Sequence, residues 1–155
     1  MLSLARLTSE EDIRAVYADP GVLRVGHDHR TAGPVFHPEA HYLGAAVDGK
    51  PCGGFLIIES GWVEWDVHAL LHGWAWRHFR EFGRMCIAHC FNVCADLQRL
   101  TAQVLGSLTS ARNYCIKLGF TVEGFRRDAV RVAGAPMGVW VLGITRRDWE
   151  AACLS

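Results

Sequence analysis

The sequence lacks an excess of charge of either sign, because 16 Lys and Arg residues balance 16 Asp and Glu residues. A balanced chain generates no overall field that attracts nucleic acid or an anionic bilayer, so we expect neither as a partner. No run approaches the roughly 18 consecutive apolar residues of a membrane span. The N-terminal stretch MLSLARLTSEEDIRAV lacks the apolar centre of a signal peptide. These absences predict a cytoplasmic protein without a membrane partner.

Linkers, low-complexity tracts and internal repeats are also absent, and the 155 residues include only five prolines. A chain of this length buries roughly two-thirds of the surface that its unfolded form exposes. We therefore expect a single domain over residues 1–155.

The six cysteines include no CxxC pair. Three of them recur at every fourth residue of an apolar segment, which indicates a reduced, buried stripe on a helix; a metal or redox site is the alternative. These three are Cys86, Cys90 and Cys94. Four histidines near the first proline-containing loop fit no standard ligand spacing, so we expect no metal site. They are His27, His29, His37 and His41.

Periodicity and turn residues predict the order of helices and strands. A helix begins at Ser9 and ends before Pro20, and residues 21–40 form a loop. The elements that follow are strands at 42–47, 54–58 and 62–70, a helix over 74–95, a strand at 98–104, a helix over 110–118, and strands at 120–132 and 137–145. A hairpin followed by a strand–helix–strand crossover predicts an α/β (α+β) fold, with a mixed central sheet of about six or seven strands and helices on both faces.

Ionisable side chains line one face of the predicted third strand. Because strand side chains alternate, Glu64, Asp66 and His68 share a face that lies opposite apolar residues. Three such groups on a central strand are costly to bury without partners. Two interpretations are open: a row that takes a proton from an amine, directly or through water, or a hydrogen-bonded row beneath the N-terminal loop.

The stretch VHALLHGWAW, residues 67–76, begins like a buried strand and ends like the first turn of a helix. A glycine, Gly73, separates the two parts. A strand, a tight glycine turn and a helix start together form an anion-binding cradle from backbone amides. An ordinary strand-to-helix corner is the alternative. Along the following helix, Arg77, Arg80 and Arg84 lie on one side, either as a solvated face or near a phosphate.

Two segments resemble the GCN5-related N-acetyltransferase (GNAT) superfamily. Residues 67–75 resemble the V-x-P-x-x-R-G-x-G/A segment that carries the pyrophosphate loop. Residues 111–124, ARNYCIKLGFTVEG, resemble the more specific A-x-x-x-x-x-K-L-G-F-x-x-E-G segment. The predicted strand order extends the resemblance over nearly the whole chain. Residues 36–39 and 145–149 resemble a phage-encoded branch of the same fold, which would place the protein in the host cytoplasm.

The resemblance implies that an acetyl group passes from acetyl-CoA, the co-substrate, to a small-molecule or protein amine by direct attack. Backbone groups of Val67, His68 and Ala69 would pair with the pantetheine arm, and amides from His72 to Ala75 would surround the pyrophosphate. The candidate cofactor-binding residues are Val67, His68, Ala69, Leu70, His72, Gly73, Trp74, Ala75, Arg77, Leu108 and Arg112. The candidate catalytic residues are Glu64 or His68 as the base, and Tyr114 or Cys115 near the departing thiolate.

The chain departs from the family pattern at several positions. The loop arginine or glutamine is His72, the loop proline is Ala69, and the second loop glycine falls at Arg77. The supporting asparagine falls at Leu108, and the general-acid tyrosine falls at Cys115, one position after Tyr114. Two functions are therefore open: an acetyltransferase that holds its cofactor through backbone groups, or a catalytically degenerate GNAT-fold protein that acts as a phage assembly or protein-interaction module. The sequence also leaves a homodimer open.

Overall fold

The computed structural model describes residues 1–16 and 39–155. Its strands are β1 (Leu2–Leu7), β2 (His41–Val47), β3 (Lys50–Glu59), β4 (Glu64–Leu71), β5 (Arg99–Leu105), β6 (Thr121–Val132) and β7 (Ala135–Thr145). Its helices are α1 (Glu10–Val16), α2 (Phe79–Val93), α3 (Thr109–Lys117) and α4 (Arg146–Leu154), with a 3-10 helix, Gly73–His78, directly before α2. The predicted loop over 21–40, apart from its last two residues, lies outside the described ranges, as do three of the four histidines considered as metal ligands.

The seven strands form one mixed sheet in the order β1-β2-β3-β4-β5-β7-β6. β4 and β5 run parallel, and their pairing extends from Glu64–Arg99 to Asp66–Thr101. The β1–β2, β2–β3, β5–β7 and β6–β7 pairs are antiparallel. The prediction of an α/β fold with a mixed sheet of this size is confirmed. Among the helices of the described ranges, none is both long enough and apolar enough to cross a bilayer.

The chain divides into two compact units, which are described separately. The first comprises Met1–Ile58 and His68–Cys86, and the second comprises Glu59–Val67 and Ile87–Ser155. In the first unit, an apolar cluster joins α1 to three strands through Ile13, Val16, Tyr42, Leu56 and Leu70. In the second unit, Leu97, Leu100 and Leu142 are fully buried.

The cysteine stripe on α2 is part of the buried interior. Cys86 and Cys90 are buried, and Cys94 is half-buried. This confirms the prediction that the stripe is buried on a helix, where the thiols pack as small apolar residues, while its reduced state stays a prediction.

The first and last elements, β1 and α4, are absent from the predicted order. β1 pairs with β2 from Leu2–Val47 to Leu7–Tyr42, a contact between distant parts of the sequence. α4 begins with a capping box, in which the Thr145 hydroxyl accepts the Asp148 N–H and the Asp148 carboxylate accepts the Thr145 N–H, each at 3.1 Å.

The helix predicted over 74–95 begins instead as a 3-10 helix. The Ala75 N–H donates to the His72 carbonyl at 3.1 Å, a hydrogen bond that spans three residues rather than four. Turns of this kind are common at the N-termini of α-helices. Over six residues, an apolar repeat of three cannot be distinguished from a repeat of 3.6, which is why the sequence pattern did not separate the two helices.

Candidate functional site

The turn that follows β4 is fixed by contacts within the first unit. The His72 N–H donates to the Cys52 carbonyl at 2.8 Å. Gly53 lies beside this point with a φ of +103°, and a Cβ built on it would collide with the Leu70 carbonyl oxygen. Only a glycine combines this backbone conformation with so close an approach of β3 to the end of β4. The end of β4 is therefore held in place, and with it the direction of the amides that follow.

The residues after this anchor expose backbone donors. Gly73 and Trp74 are the first residues of the 3-10 helix, and the first amides of a helix have no partner within it. His72, the N-cap residue, provides no side-chain cap. A Cβ built on Gly73 would meet no heavy atom of residues 1–16 or 39–155 within 4 Å, so these residues leave the space beside the turn open. The N–H groups at this turn can therefore bind an anion that arrives from solvent.

The side chain of His72 binds the protein rather than solvent. Its Nε2 lies 3.3 Å from the Val16 carbonyl oxygen, in the last turn of α1. Because a carbonyl can only accept, this hydrogen bond requires a proton on Nε2. The residue at the family's arginine or glutamine position therefore ties the turn to α1.

The aromatic residues of the 3-10 helix lie at the surface, and each is paired with a cation. Trp74 is 45% exposed, and Lys50 Nζ lies 4.3 Å from the centre of its ring. Trp76 is 65% exposed, and Arg77 Cζ lies 5.4 Å from its ring centre. These distances are typical of cation–π contacts. Basic and aromatic groups thus lie on the same short helix as the open amides.

Of the remaining cofactor candidates in the first unit, Ala69 is exposed, His68 is half-buried, and Leu70 and Ala75 are buried. The Leu70 side chain belongs to the apolar cluster, so this residue can offer a cofactor only its backbone. The candidates at 72–75 and Arg77 are brought together by the turn and its helix.

In the second unit, Glu64 lies at the start of β4 in a network of charged and polar groups. Its Oε2 lies 2.7 Å from Arg99 Nε and accepts a hydrogen bond from the Thr101 hydroxyl at 2.7 Å. Arg99 also donates to Glu123, with Nη2 at 2.5 Å from Oε1 and Nη1 at 3.2 Å from Oε2. Hydrogen bonds from Arg99 lower the pKa of Glu123, and those to Glu123 raise the pKa of Arg99. Glu64 is therefore an ion-paired carboxylate rather than an isolated one.

Farther along β4, Asp66 accepts a hydrogen bond from the Ser60 hydroxyl at 3.4 Å. The parallel pairing with β5 ends at Asp66, so the next residue, Val67, has no assigned partner in β5. β5 itself continues to pair with β7 as far as Leu105. The start of β4 is therefore paired with β5, whereas from Val67 onward β4 has no assigned pairing with β5.

The candidates on α3 have different surroundings. Burial raises the pKa of the Cys115 thiol to about 11. An ordinary thiol has a pKa of about 8.5, so Cys115 is a weaker acid than the thiols it would have to protonate. The neighbouring Tyr114 is half-buried, and Leu108 occupies the N-cap position of α3 without a side-chain cap. These observations favour a packing role for Cys115.

Arg112 contacts an aromatic residue of β7. Its guanidinium carbon lies 4.8 Å from the centre of the Trp140 ring, and its Nε is buried with no hydrogen-bond partner among the described residues. The ring of Trp140 in turn lies 4.7 Å from that of Phe125. Arg112 thus packs against an aromatic pair in the second unit. Its role in binding the cofactor stays a prediction.

Three residues of the charge network, Arg99, Thr101 and Glu123, are not among the predicted site residues. Of the three, Glu123 lies within the GNAT-like segment 111–124, so the sequence contained a signal that could have identified this residue. Arg99 reaches it across β7, a pairing between strands that no local pattern reveals.

No protein-family model matches the sequence. Among solved structures, a single-residue mutant of spermidine N-acetyltransferase from Vibrio cholerae is similar with a TM-score of 0.81 at 12% identity, covering 98% of this chain and 98% of that chain. The structure of the Vibrio cholerae enzyme in complex with CoA and spermine gives 0.78 at 13% identity, covering 96% and 98%. The ribosomal-protein-S18-alanine N-acetyltransferase from Escherichia coli gives 0.71 at 15% identity, covering 94% of each chain.

The chain has the GNAT fold. Within this GNAT fold, the segment that resembles the pyrophosphate loop is the anchored turn with open amides, and the second GNAT-like segment supplies α3, the start of β6 and Glu123. The fold prediction is confirmed, whereas the residue assignments stay predictions.

Proposed function

We propose that the protein is an N-acyltransferase that moves the acetyl group of acetyl-CoA to an amine. The observation that carries this proposal is the turn at Gly73, whose amides are open to an anion and are held in place by the Cys52 and Gly53 contacts. The GNAT fold supports the same conclusion, because one similar structure is a complex with CoA. The similar enzymes are named for spermidine and for a protein alanine, so the proposed acceptor is a small-molecule or protein amine.

The cofactor would be held mainly by the backbone. The amides of Gly73 and Trp74 would donate to the pyrophosphate, and the positive end of the helix would add to this attraction. Lys50 and Arg77 contribute positive charge from the aromatic pairs beside the turn. Backbone groups from Val67 to Ala69 would pair with the pantetheine arm. This is consistent with the pairing between β4 and β5, which ends at Asp66, the residue before Val67. This division explains why a histidine is tolerated at position 72, since its side chain is not needed for the phosphates.

Acetyl-CoA supplies the acyl group as a thioester, which a neutral amine attacks directly while the carbon–sulfur bond breaks. Glu64 is the proposed base, and His68 on the same strand is the alternative. The Oε1 atom of Glu64 has no hydrogen-bond partner in the part of the chain that the structure describes, and it can take the proton of the amine. Tyr114 and Cys115 stay the two candidates near the departing thiolate. Burial raises the pKa of the Cys115 thiol to about 11, above the value of about 10 for an ordinary tyrosine, so Cys115 is the poorer proton donor of the two.

The test combines binding and turnover. Acetyl-CoA at a hundredfold over its dissociation constant should stabilise the folded state by about 2.7 kcal/mol. Thiol release from acetyl-CoA is then followed with spermidine and with a peptide that begins with alanine as acceptors. Glu64→Gln should lower turnover with little change in acetyl-CoA affinity, whereas Glu81→Gln, an exposed acid on α2, should change neither. Equal turnover in the wild type and Glu64→Gln would exclude Glu64 as the base.

A second candidate function, a protein-interaction module without catalysis, is favoured by the exposed tryptophans. Trp62 is 98% exposed in the turn before β4, and Trp76 is 65% exposed. Large exposed aromatic side chains are typical of surfaces that contact other proteins. A protein that shows no thermal shift with millimolar acetyl-CoA and releases no thiol with either amine would support this candidate over the enzyme.

A further inference from the structure

We propose that Arg99 and Glu123 are positioning residues for Glu64, so that one guanidinium shared by two carboxylates orients the group that accepts the amine proton. The inference rests on the proposed function, because it takes Glu64 as the base. It concerns Arg99 on β5, which lies outside the sequence motifs, and Glu123 on β6, which lies within the GNAT-like segment 111–124 but has no role in the cofactor assignment.

The two oxygens of the Glu64 carboxylate differ in their contacts. In the part of the chain that the structure describes, two polar groups contact this carboxylate, and both lie at Oε2: Arg99 Nε and the Thr101 hydroxyl, each at 2.7 Å. Arg99 Nε also donates to the same hydroxyl at 3.1 Å, which closes the group into a ring of three. The Glu64 side chain is 37% exposed, so it is accessible from solvent. One oxygen is thus fixed, while the other can face a substrate.

Arg99 is itself held in place by Glu123. Its Nη1 and Nη2 atoms donate to the two oxygens of Glu123, so all three guanidinium nitrogens are engaged. A planar guanidinium bound in this two-pronged way has a defined orientation, which a lysine ammonium would not have. The register of β6 shifts between Val122 and Gly124, and such bulges redirect side chains. Glu123, the residue at the shift, therefore lies where it can reach Arg99.

A glycine, Gly143, lies beside the contact between Arg99 and Glu123. Gly143 of β7 pairs with Thr101 of β5 and with Thr121 of β6. A Cβ built on Gly143 would collide with Arg99 Nη2 and lie 2.6 Å from Glu123 Oε1. The bare glycine backbone is what allows the ion pair to cross β7. Because both atoms are the ends of flexible side chains, an alanine here would displace the pair without blocking the strand.

Stability alone gives a weak reason for this arrangement. The side chains of Arg99, Glu64 and Glu123 are between 27% and 39% exposed, and ion pairs that contact solvent contribute little to folding. The geometric consequence is larger, since within residues 1–16 and 39–155 both oxygens of Glu123 are bonded, whereas Oε1 of Glu64 has no partner. The network is therefore expected to act on turnover more than on folding.

The experiment measures kcat and KM for acetyl-CoA with spermidine as acceptor, together with the melting temperature. Arg99→Met should lower kcat about tenfold or more and leave KM within about threefold, because orientation of the base matters for the chemical step and not for cofactor binding. Arg99→Lys should recover part of the loss. Gly143→Ala, which changes no charged residue, should lower kcat by about threefold or more. Arg131→Met, an exposed arginine of β6 with no role in the network, is the control and should match the wild type.

The possible results separate the two proposals. Loss of kcat in Arg99→Met and Gly143→Ala at unchanged KM supports the positioning role. An active wild type whose kcat is the same in Gly143→Ala and Arg99→Met, even if their melting temperatures fall, overturns the positioning role and leaves the acyltransferase standing. A wild type that releases no thiol with either spermidine or the alanine peptide, and shows no thermal shift with acetyl-CoA, overturns the proposed function itself.

Discussion

Gly73 and Gly53 offer a matched pair of substitutions that separates cofactor binding from folding. A Cβ added at Gly73 meets no atom of the described residues within 4 Å, so Gly73→Val should change the unfolding free energy by no more than about 0.5 kcal/mol. For a chain of this size, that is a change of roughly 1 to 2 °C in melting temperature. The same valine would occupy the space in which a pyrophosphate approaches the amides. The rise of roughly 5 to 10 °C expected for the wild type at saturating CoA should therefore vanish in the variant.

Gly53→Ala is the contrasting control. Its φ of +103° and the collision with the Leu70 carbonyl predict a loss of more than about 2 kcal/mol, measured by thermal melting without ligand. The reasoning is refuted if Gly73→Val binds CoA as the wild type does, since the cofactor would then not approach at this turn. It is also refuted if Gly73→Val melts far below the wild type, since the glycine would then serve the fold.

Three further predictions concern single residues. Arg146 donates to three backbone carbonyls at and beyond the end of α2, at 2.7 to 2.9 Å. Arg146→Met should therefore lower the free energy of unfolding, measured by urea denaturation, by about 2 to 3 kcal/mol, and a loss below about 1 kcal/mol would contradict this capping role. The pKa of Glu123 is lowered from 4.5 by the Arg99 hydrogen bonds, so its stabilisation is present above about pH 4.5 and is lost as the pH falls through the lower folded value. The stability difference between the wild type and Glu123→Gln should thus shrink on acidification, and a constant difference from pH 3 to pH 7 would argue against the pair. Burial raises the pKa of Cys115 to about 11, so a thiol reagent at pH 8 should label the exposed Cys153 well before Cys115. Peptide mapping measures the two labelling rates, and equal rates would contradict the burial of Cys115.

Much of the architecture could be predicted because it is encoded locally. The hairpin turn at Asp48-Gly49, the alternating residues of β4 and the glycine after α3 each mark an element by a rule that spans a few residues. The four-residue recurrence of Cys86 and Cys90 likewise identified a buried helix face. Local signals also existed for the two missed elements, namely the leucine alternation of β1 and the Thr145–Asp148 spacing that begins α4.

The candidate site was less predictable, because its geometry depends on contacts between distant segments. The sequence identified Glu64 and the Gly73 turn but could not show that Arg99 would bind both Glu64 and Glu123 across a glycine of β7. Nor could it show that the His72 side chain would bind the end of α1. Burial is equally non-local, and it is burial that weakens the case for Cys115 as an acid.

The central claim is that the amides after β4 bind the diphosphate of CoA, and a titration of the ¹⁵N-labelled protein with CoA tests it most directly. The account predicts that the backbone N–H signals of Gly73 and Trp74 are among those that move most, and that the signals of this turn do not move in Gly73→Val. Signals of Gly73 and Trp74 that stay in place at saturating CoA would contradict it.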